Sequence, residues 1–252
     1  MNAFDTDSQT CHRRASTQSL WQGHDSQENW DRNVADPHKQ LMLESSGWLD
    51  AGAAIEYSYN QHGFRDSEFA SIESGLVLGC SFTEGVGVAL SQSWPKQLER
   101  QLGMPVWNLG IGGSGISTAF RVLDRWLPLL RPRFVALLIP PAARLEICTD
   151  RGHDTIMPSN ITNHNVGWHQ DSYVKHWMTE PKNAQTEQRK SLLAMSWLCH
   201  EQAVPFVSWD YSILHDHGDY HRCRARDLAH FSPATYEWFA QQAAEKIKTK
   251  LQ

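Results

Sequence analysis

The sequence lacks the features that mark several large classes of protein. Its five cysteines are widely spaced and form no C-x-x-C pair, so we expect neither a disulfide framework nor a thiolate zinc site. The formal net charge is only −5, without the concentrated basic surface that nucleic-acid binding requires. The longest apolar runs, such as RFVALLIPP, are too short to span a bilayer. What remains is a globular chain of 252 residues, long enough to bury one sizeable core.

The chain has regions of different composition. Residues 1–50 are rich in Gln, Ser, Asp, His and Asn, which predicts a partly irregular N-terminal arm with a short helix near PHKQLMLES. Residues 51–252 are expected to form one domain, with an insertion or lid near 150–182, where the sequence is polar and irregular. The first twenty residues do not have the basic-then-apolar order of a secretory signal, so we expect a cytoplasmic protein.

Strand-like and helix-like segments alternate from residue 75 onward. The short apolar segments GLVLGC, PVWNLG, RFVALLIPP and PFVSWD are typical of buried parallel strands. Helical patterns are found in SWPKQLERQLG, GISTAFRVLDRWLPLL, EQRKSLLAMSWLCHEQ and SPATYEWFAQQAAEKIKTK. Because parallel neighbours need crossover connections, this order predicts an α/β fold, a three-layer α/β/α sandwich with a mostly parallel sheet. Ligands bind such sheets at the carboxyl ends of the strands.

Polar motifs follow several of these strands. The segment GLVLGCSFTEGVGV places Ser81 just past the carboxyl end of the first strand. A serine hydroxyl is a useful nucleophile only when a base takes its proton, usually a histidine oriented by a carboxylate. Asp227 and His230 provide such a pair, three residues apart, between the fourth strand and the last helix. The glycine-rich loop NLGIGGSG follows the second strand and can bring backbone N–H groups close to an oxyanion.

Each motif also has an ordinary structural explanation. A serine after a strand is common in turns, a D-x-x-H before a helix is often a capping arrangement, and a glycine-rich loop also suits a phosphate. However, GIGGSG does not fit G-x-G-x-x-G cleanly, and the sequence has no Walker lysine. The occurrence of all three motifs, in order, on carboxyl-end loops favours a Ser–His–Asp triad.

With these motifs the sequence resembles the SGNH hydrolases, also called GDSL esterases and lipases. GCSFTEG is similar to the first block of the family, with Cys80 where the family usually has Asp and Ser81 at the position of the nucleophile. NLGIGGSG is similar to the second block, with Gly113 as its oxyanion glycine. DLAH is similar to the last block, which makes Asp227 and His230 the other members of the triad.

The resemblance implies a flavodoxin-like three-layer fold and hydrolysis of a carboxylic ester through an acyl-enzyme on Ser81. His230 would act as the base, Asp227 would orient it, and the amides of Ser81 and Gly113 would form the oxyanion hole. The substrate would be an acetyl or short-acyl ester of a small molecule, glycan or lipid, and no cofactor is implied. Two alternatives stay open: an acyltransferase with the same triad, and a catalytically degenerate domain that binds an ester or glycan.

The sequence differs from the family in the third block. Its Asn supplies a further oxyanion donor, whereas this chain reads LLIPPAARLEI. Loss of one such donor costs about 2.7–4 kcal/mol of transition-state stabilisation. Arg144 could replace that donor, bind an anionic substrate group, or pair with Glu146 or Asp150 at a helix start. Asn108 and Glu84 are weaker candidates for substrate contact, because each is also suited to capping a loop or helix.

A metal site is not expected. The segment LHDHGDYH contains several residues with ligand chemistry, but their spacing follows no recognised metal-binding pattern.

Overall fold

Strands and helices alternate along the part of the chain that the computed structural model describes, which comprises residues 14–49, 55–149, 152–156, 177, 180–219 and 223–252. The strands are β1 (Gln18–Ser19), β2 (Tyr57–Ser58), β3 (Gly75–Leu78), β4 (Val106–Asn108), β5 (Phe134–Ile139), β6 (Leu145–Thr149), β7 (Gly152–Ile156) and β8 (Phe206–Asp210). The α-helices are α1 (Gln27–Ala35), α2 (Pro37–Ser45), α3 (Ser81–Glu84), α4 (Trp94–Leu102), α5 (Ile116–Leu130), α6 (Pro181–Glu201) and α7 (Pro233–Leu251).

The central sheet has four parallel strands in the order β4-β3-β5-β8. All four were predicted from the apolar segments, and the α/β fold class is confirmed. The chain runs from β3 outward to β4 and then returns past β3 to β5 and β8. This reversal makes the carboxyl ends of β3 and β5 a topological switch point, where open α/β sheets leave a crevice for a ligand.

Helices cover both faces of this sheet and make it the middle of three layers. On one face, Val77 and Ala136 pack in a core with Trp94 of α4 and Phe239 of α7. On the other face, strand residues such as Leu76 form a second core with residues of α5 and α6, among them Leu123, Leu127, Met195 and Cys199. Alternate strand residues enter opposite cores because successive side chains of a strand point to opposite faces. The three-layer sandwich predicted from the sequence is therefore present.

Helix ends follow local signals that are mostly visible in the sequence. Helix α4 has Pro95 in its first turn and ends at Gly103, whose φ is +64°, a left-handed conformation that glycine adopts without strain. Helix α6 starts at Pro181, six residues before the predicted segment. The Glu180 side chain accepts a hydrogen bond from the Lys182 N–H there, which explains the earlier start. Among the described helices, none combines the length and apolar character needed to cross a bilayer.

The N-terminal segment, defined here as residues 14–49, is the described part of the predicted N-terminal arm. It contains α1 and the helix expected near PHKQLMLES, and β1 pairs antiparallel with β2. Leu43 is fully buried in the same core as α4 and α7, and Asp25 is buried against the rest of the domain. Polar contacts attach much of the segment to the rest of the domain, and such contacts leave no hydrophobic period in the sequence.

A β-hairpin begins the region that was predicted as an insertion. Strands β6 and β7 pair antiparallel, with Leu145 opposite Ile156. A helix start beside Arg144 was considered from the sequence, but a strand begins there instead. Residues 150, 151, 157–176, 178 and 179 lie outside the described residues, so the insertion or lid stays a prediction.

Candidate active site

Ser81 lies at the carboxyl edge of the central sheet, immediately after β3. The chain leaves the strand through Gly79 and Cys80 and begins the single turn of α3 at Ser81. Gly85 ends that turn with a φ of +82°. Ser81 retains 9% of its surface accessible and lines a cavity, whereas the adjacent Cys80 is 1% exposed. The serine, and not the cysteine, therefore faces the cavity.

Asp227 and His230 form a hydrogen-bonded pair in the loop before α7. His230 Nδ1 lies 2.5 Å from Asp227 Oδ2. The other carboxylate oxygen, Oδ1, accepts the backbone N–H groups of Ala229 and His230, both at 3.0 Å. Leu228 has a φ of +57°, and this left-handed residue curls the loop around the carboxylate. The D-x-x-H spacing thus closes a compact turn in which the imidazole bonds to the Asp227 side chain.

Asp227 stays ionised in this environment. Burial acts to raise its pKa, but the charge of His230 and the hydrogen bonds from the His230 side chain and two backbone amides outweigh burial and lower it. An ionised carboxylate can only accept hydrogen bonds, so Nδ1 of the imidazole carries a proton. In the neutral ring, Nε2 is then free to accept one.

Gly87 brings the turn after Ser81 into direct contact with the Asp227 loop. Its carbonyl accepts the backbone N–H of Arg226 at 2.9 Å, and its own N–H donates to the Tyr57 hydroxyl at 2.8 Å. Gly87 has a φ of +80°, and a Cβ there would lie 2.7 Å from Ala225 Cβ and 3.0 Å from Asp227 Oδ1. Only glycine combines this conformation with this close approach.

The glycine-rich loop after β4 forms another part of the same edge. The Gly112 N–H donates to the Glu84 carboxylate, and Gly113, with a φ of +79°, lines the cavity beside Ser81. Ser114 Oγ bonds to the Gly79 carbonyl at 3.3 Å, which ties this loop to the start of the serine turn. Among the described residues, neither the Ser81 N–H nor the Gly113 N–H has a hydrogen-bond acceptor. Both amides are available to a ligand.

Ser81, Gly113 and His230 share one cavity of about 630 Å³. Its remaining wall residues are Gln22, Gly23, His24, Asn29, Phe82, Val86, Gly112, Arg144 and Ala229. The Phe82 ring packs edge-on against the His230 imidazole, with centroids 5.5 Å apart. Within the described part of the chain, the Ser81 hydroxyl makes no hydrogen bond, including none to His230. The volume is in the range typical of sites for small organic ligands.

Asn108 and Glu84 lie beneath this cavity and are completely buried. Asn108 donates to the Thr83 carbonyl and accepts from the Gly110 N–H, both at 2.9 Å, and so braces the glycine-rich loop against α3. Glu84 accepts the Tyr59 hydroxyl at 2.5 Å and Arg14 Nη1 at 2.8 Å. Both candidates therefore occupy framework positions, and neither side chain lines the cavity wall.

Arg144 does line the cavity. It lies on the loop after β5, and its Nη1 donates to the Ser114 carbonyl at 3.3 Å. It does not pair with Glu146, one of the alternatives considered, because both carboxylate oxygens of Glu146 accept from Arg121, at 2.8 and 2.6 Å. The alternative partner, Asp150, lies outside the described residues. Arg144 thus reaches the site from the loop after β5. In the SGNH hydrolases, which this sequence resembles, the corresponding loop carries the Asn that this chain lacks.

One wall of the cavity comes from the N-terminal segment and was not anticipated. Gln22, Gly23, His24 and Asn29 line the same cavity as Ser81 and His230. No motif or periodic pattern marks these residues in the sequence. Their position depends on contacts with residues some 200 positions later, such as the bond from Arg226 Nη2 to the Leu20 carbonyl.

The histidines of LHDHGDYH have other contacts. The His215 ring packs edge-on against Phe231, and His217 Nδ1 lies 3.2 Å from Thr235 Oγ1. His221 lies outside the described residues. In the described ranges, no three His, Cys, Asp or Glu side chains are grouped so that they could hold a metal ion.

Comparison with known proteins gives likenesses in structure only. No family model matches the sequence, and a search of the curated proteins gives no match. An esterase, EstA, from Pseudoalteromonas sp. is 13% identical, with a TM-score of 0.38 over 71% of this chain and 99% of that chain. A lipase/acylhydrolase from Enterococcus faecalis is 17% identical, with a TM-score of 0.38 over 72% of this chain and 98% of that chain.

An acetyl xylan esterase, AlAXEase, is 13% identical, with a TM-score of 0.36 over 69% of this chain and 99% of that chain. Likenesses of this extent assign no activity to the chain. The resemblance to the SGNH hydrolases therefore depends on the sequence motifs GCSFTEG, NLGIGGSG and DLAH. In the structure these motifs lie on loops at the carboxyl edge of a parallel sheet. In that arrangement of serine turn, glycine loop and Asp–His loop, the chain resembles the SGNH hydrolases.

Proposed function

We propose that this protein is an ester hydrolase that works by acyl transfer to Ser81. One observation carries the proposal. A single cavity is lined by Ser81, Gly113 and His230, and Nδ1 of His230 is hydrogen-bonded to the buried Asp227 carboxylate. Nucleophile, oxyanion donor and oriented base are the parts that acyl transfer requires.

In the proposed mechanism, His230 Nε2 takes the proton of the Ser81 hydroxyl while Oγ forms a bond to the substrate carbonyl carbon. The tetrahedral oxyanion is held by the Ser81 and Gly113 amides, which lack acceptors among the described residues. The alkoxide then leaves with the proton from His230, and an acyl-enzyme remains. Water, deprotonated by the same imidazole, attacks the acyl carbon, releases the acid and restores Ser81.

Asp227 serves this cycle by holding the imidazole in one tautomer and by stabilising its charge after proton transfer. The lowered pKa of Asp227 supports this role, because His230 interacts with it most favourably when the carboxyl group is ionised.

The proposal is tested with a fluorophosphonate probe and with 4-nitrophenyl acetate. We expect the probe to label the native protein, and Ser81→Ala to lose labelling while the control Ser91→Ala, at an exposed serine, keeps it. Ser81→Ala and His230→Ala should each lower kcat on the order of 10⁴- to 10⁶-fold. Native turnover in either variant would remove that residue from the mechanism.

A second candidate is a domain that binds an ester without hydrolysing it. It is favoured by the Ser81 hydroxyl, which makes no hydrogen bond to His230 in the described part of the chain. In unliganded sites, however, such catalytic bonds are often long and tighten only with substrate. A native protein that binds 4-nitrophenyl acetate, remains unlabelled and releases no nitrophenol would establish the binding domain in place of the hydrolase.

A further inference from the structure

Arg144 is the one permanently charged side chain among the described residues that line the cavity. A guanidinium is protonated at all relevant pH values and presents five donors in a planar fork. Its single hydrogen bond to a described residue goes to the Ser114 carbonyl, at 3.3 Å. Most of its donor capacity therefore remains for a ligand.

Two acidic groups that the structure describes in this region, Glu146 and Glu84, are engaged with other partners. Arg121 takes both carboxylate oxygens of Glu146, and Glu84 is buried against Arg14 and Tyr59. Across the described ranges, no carboxylate lies within ion-pair distance of Arg144. A half-buried cation with no counter-ion in the described part of the chain favours an anion from the solution.

The rest of the cavity suits an anion as well. None of its described wall residues is acidic, and Gln22, His24 and Asn29 are among them. Phe82 and Val86 supply apolar surface beside Ser81. One ligand of moderate size could thus place an ester at Ser81 and an anionic group at Arg144.

The loop that carries Arg144 is also fixed in place. A Cβ on Gly115 would lie 2.4 Å from the Arg144 carbonyl oxygen, so the two backbones are in close contact at the start of α5. This contact fixes the Arg144 backbone beside the glycine-rich loop, and the guanidinium bonds to the Ser114 carbonyl of that loop. The backbone at Arg144 is therefore part of the framework of the site.

We propose that the substrate is an ester that also carries an anionic group, a carboxylate or a phosphate, which Arg144 binds. This inference rests on the proposed function and narrows its substrate class. It assigns Arg144 to substrate recognition, as opposed to stabilisation of the oxyanion in place of the missing Asn.

The test compares anionic esters with neutral esters of similar size. On the alcohol side the set is 4-acetoxybenzoate, 4-acetoxyphenyl phosphate and the neutral 4-acetoxybenzamide. On the acyl side it is the 4-nitrophenyl monoester of adipate and the neutral 4-nitrophenyl hexanoate. We expect the native protein to prefer an anionic member by roughly 10- to 100-fold in kcat/KM, the range of a charge-assisted hydrogen bond. The benzoate and phosphate arms distinguish the two anions.

Arg144→Gln should reduce this preference to near unity, mainly through KM, whereas Arg144→Lys should retain part of it. The control Arg189→Gln, at an exposed position on α6, should keep the native preference. A native protein without preference in any set would overturn the inference. So would an Arg144→Gln variant that loses the same factor on charged and neutral esters, because that result indicates an oxyanion donor.

A binding measurement separates this inference from the proposed hydrolysis. Adipate or inorganic phosphate should raise the melting temperature of the native protein, whereas adipamide should not, and Arg144→Gln should abolish the shift. This result would support the anion site even in a protein that turns over no ester. Equal shifts in the native protein and Arg144→Gln would refute it.

Discussion

Two ion pairs join the N-terminal segment to the two halves of the candidate site, and they differ in exposure. Asp25 bonds to Arg226 Nε at 2.9 Å and to Nη2 at 2.6 Å, and these side chains are only 2% and 6% exposed. Arg14 bonds to Glu84 at 2.8 Å, but the Arg14 side chain is 22% exposed. The first pair adjoins Asp227, and the second lies in the turn that begins at Ser81.

The difference in exposure indicates which of the two ion pairs contributes more to stability. Removal of one member of a fully buried pair leaves the other without water or a counter-ion, which is far costlier than loss of an exposed pair. Glu84 has two other donors, the Tyr59 hydroxyl and the Gly112 N–H. Asp25 also accepts from the Tyr57 hydroxyl, at 2.6 Å. The Asp227 side of the site should therefore be the more sensitive to the N-terminal segment.

The largest effect is expected from Asp25→Ala. It removes the carboxylate that Arg226 contacts with two nitrogens, and breaking a buried pair in this way costs about 3–5 kcal/mol of unfolding free energy. Urea denaturation at neutral pH measures the loss. Glu28→Ala, in an exposed ion pair on α1, is the matched control and should change stability by no more than about 1 kcal/mol. Equal losses in both variants would contradict the comparison.

A smaller effect is expected from Arg14→Ala. Water can reach the vacated position, and Glu84 keeps its other two donors, so the loss should be about 1.5–3 kcal/mol. Urea denaturation measures it, with Arg32→Ala on the exposed face of α1 as control. A loss greater than that of Asp25→Ala would reverse the order of the two attachments.

The smallest effect is expected on stability at acid pH, and it tests the role of Asp227. Its pKa is lowered in the folded state, so its stabilising contribution is complete above its unfolded pKa of about 3.9 and is lost as pH falls through the folded value. Asp227→Asn should lack this part of the acid-induced loss, measured as unfolding free energy between pH 7 and pH 2. The exposed Asp31→Asn should keep the native profile, and an unchanged profile in Asp227→Asn would contradict the assignment.

The sheet and the serine turn could be predicted from sequence because buried parallel strands leave continuous apolar segments. GLVLGC and RFVALLIPP correspond to β3 and β5, and the position of Ser81 follows from the end of β3. The cavity wall made by the N-terminal segment could not be predicted in this way. Its placement depends on polar pairs such as Asp25–Arg226, which join residues 201 positions apart and produce no local pattern.

Arg144 lies between these cases. Its position after the third predicted strand was visible in the sequence, but its partner was not. Arg144 does not pair with Glu146 because Arg121, which lies on α5, donates hydrogen bonds to that carboxylate. Tertiary packing brings Arg121 and Glu146 together. Side-chain pairing across elements is the information that a single sequence does not contain.

The close contact at Gly87 has a consequence for local opening of the domain. The Arg226 amide is bonded to the Gly87 carbonyl, and Gly87 packs without a side chain against Asp227. The turn after Ser81 and the loop before α7 can move apart only if this hydrogen bond and this packing contact break. In amide hydrogen exchange, the Gly87 and Arg226 N–H groups should therefore share one opening free energy and respond together to urea, as members of a single cooperative unit.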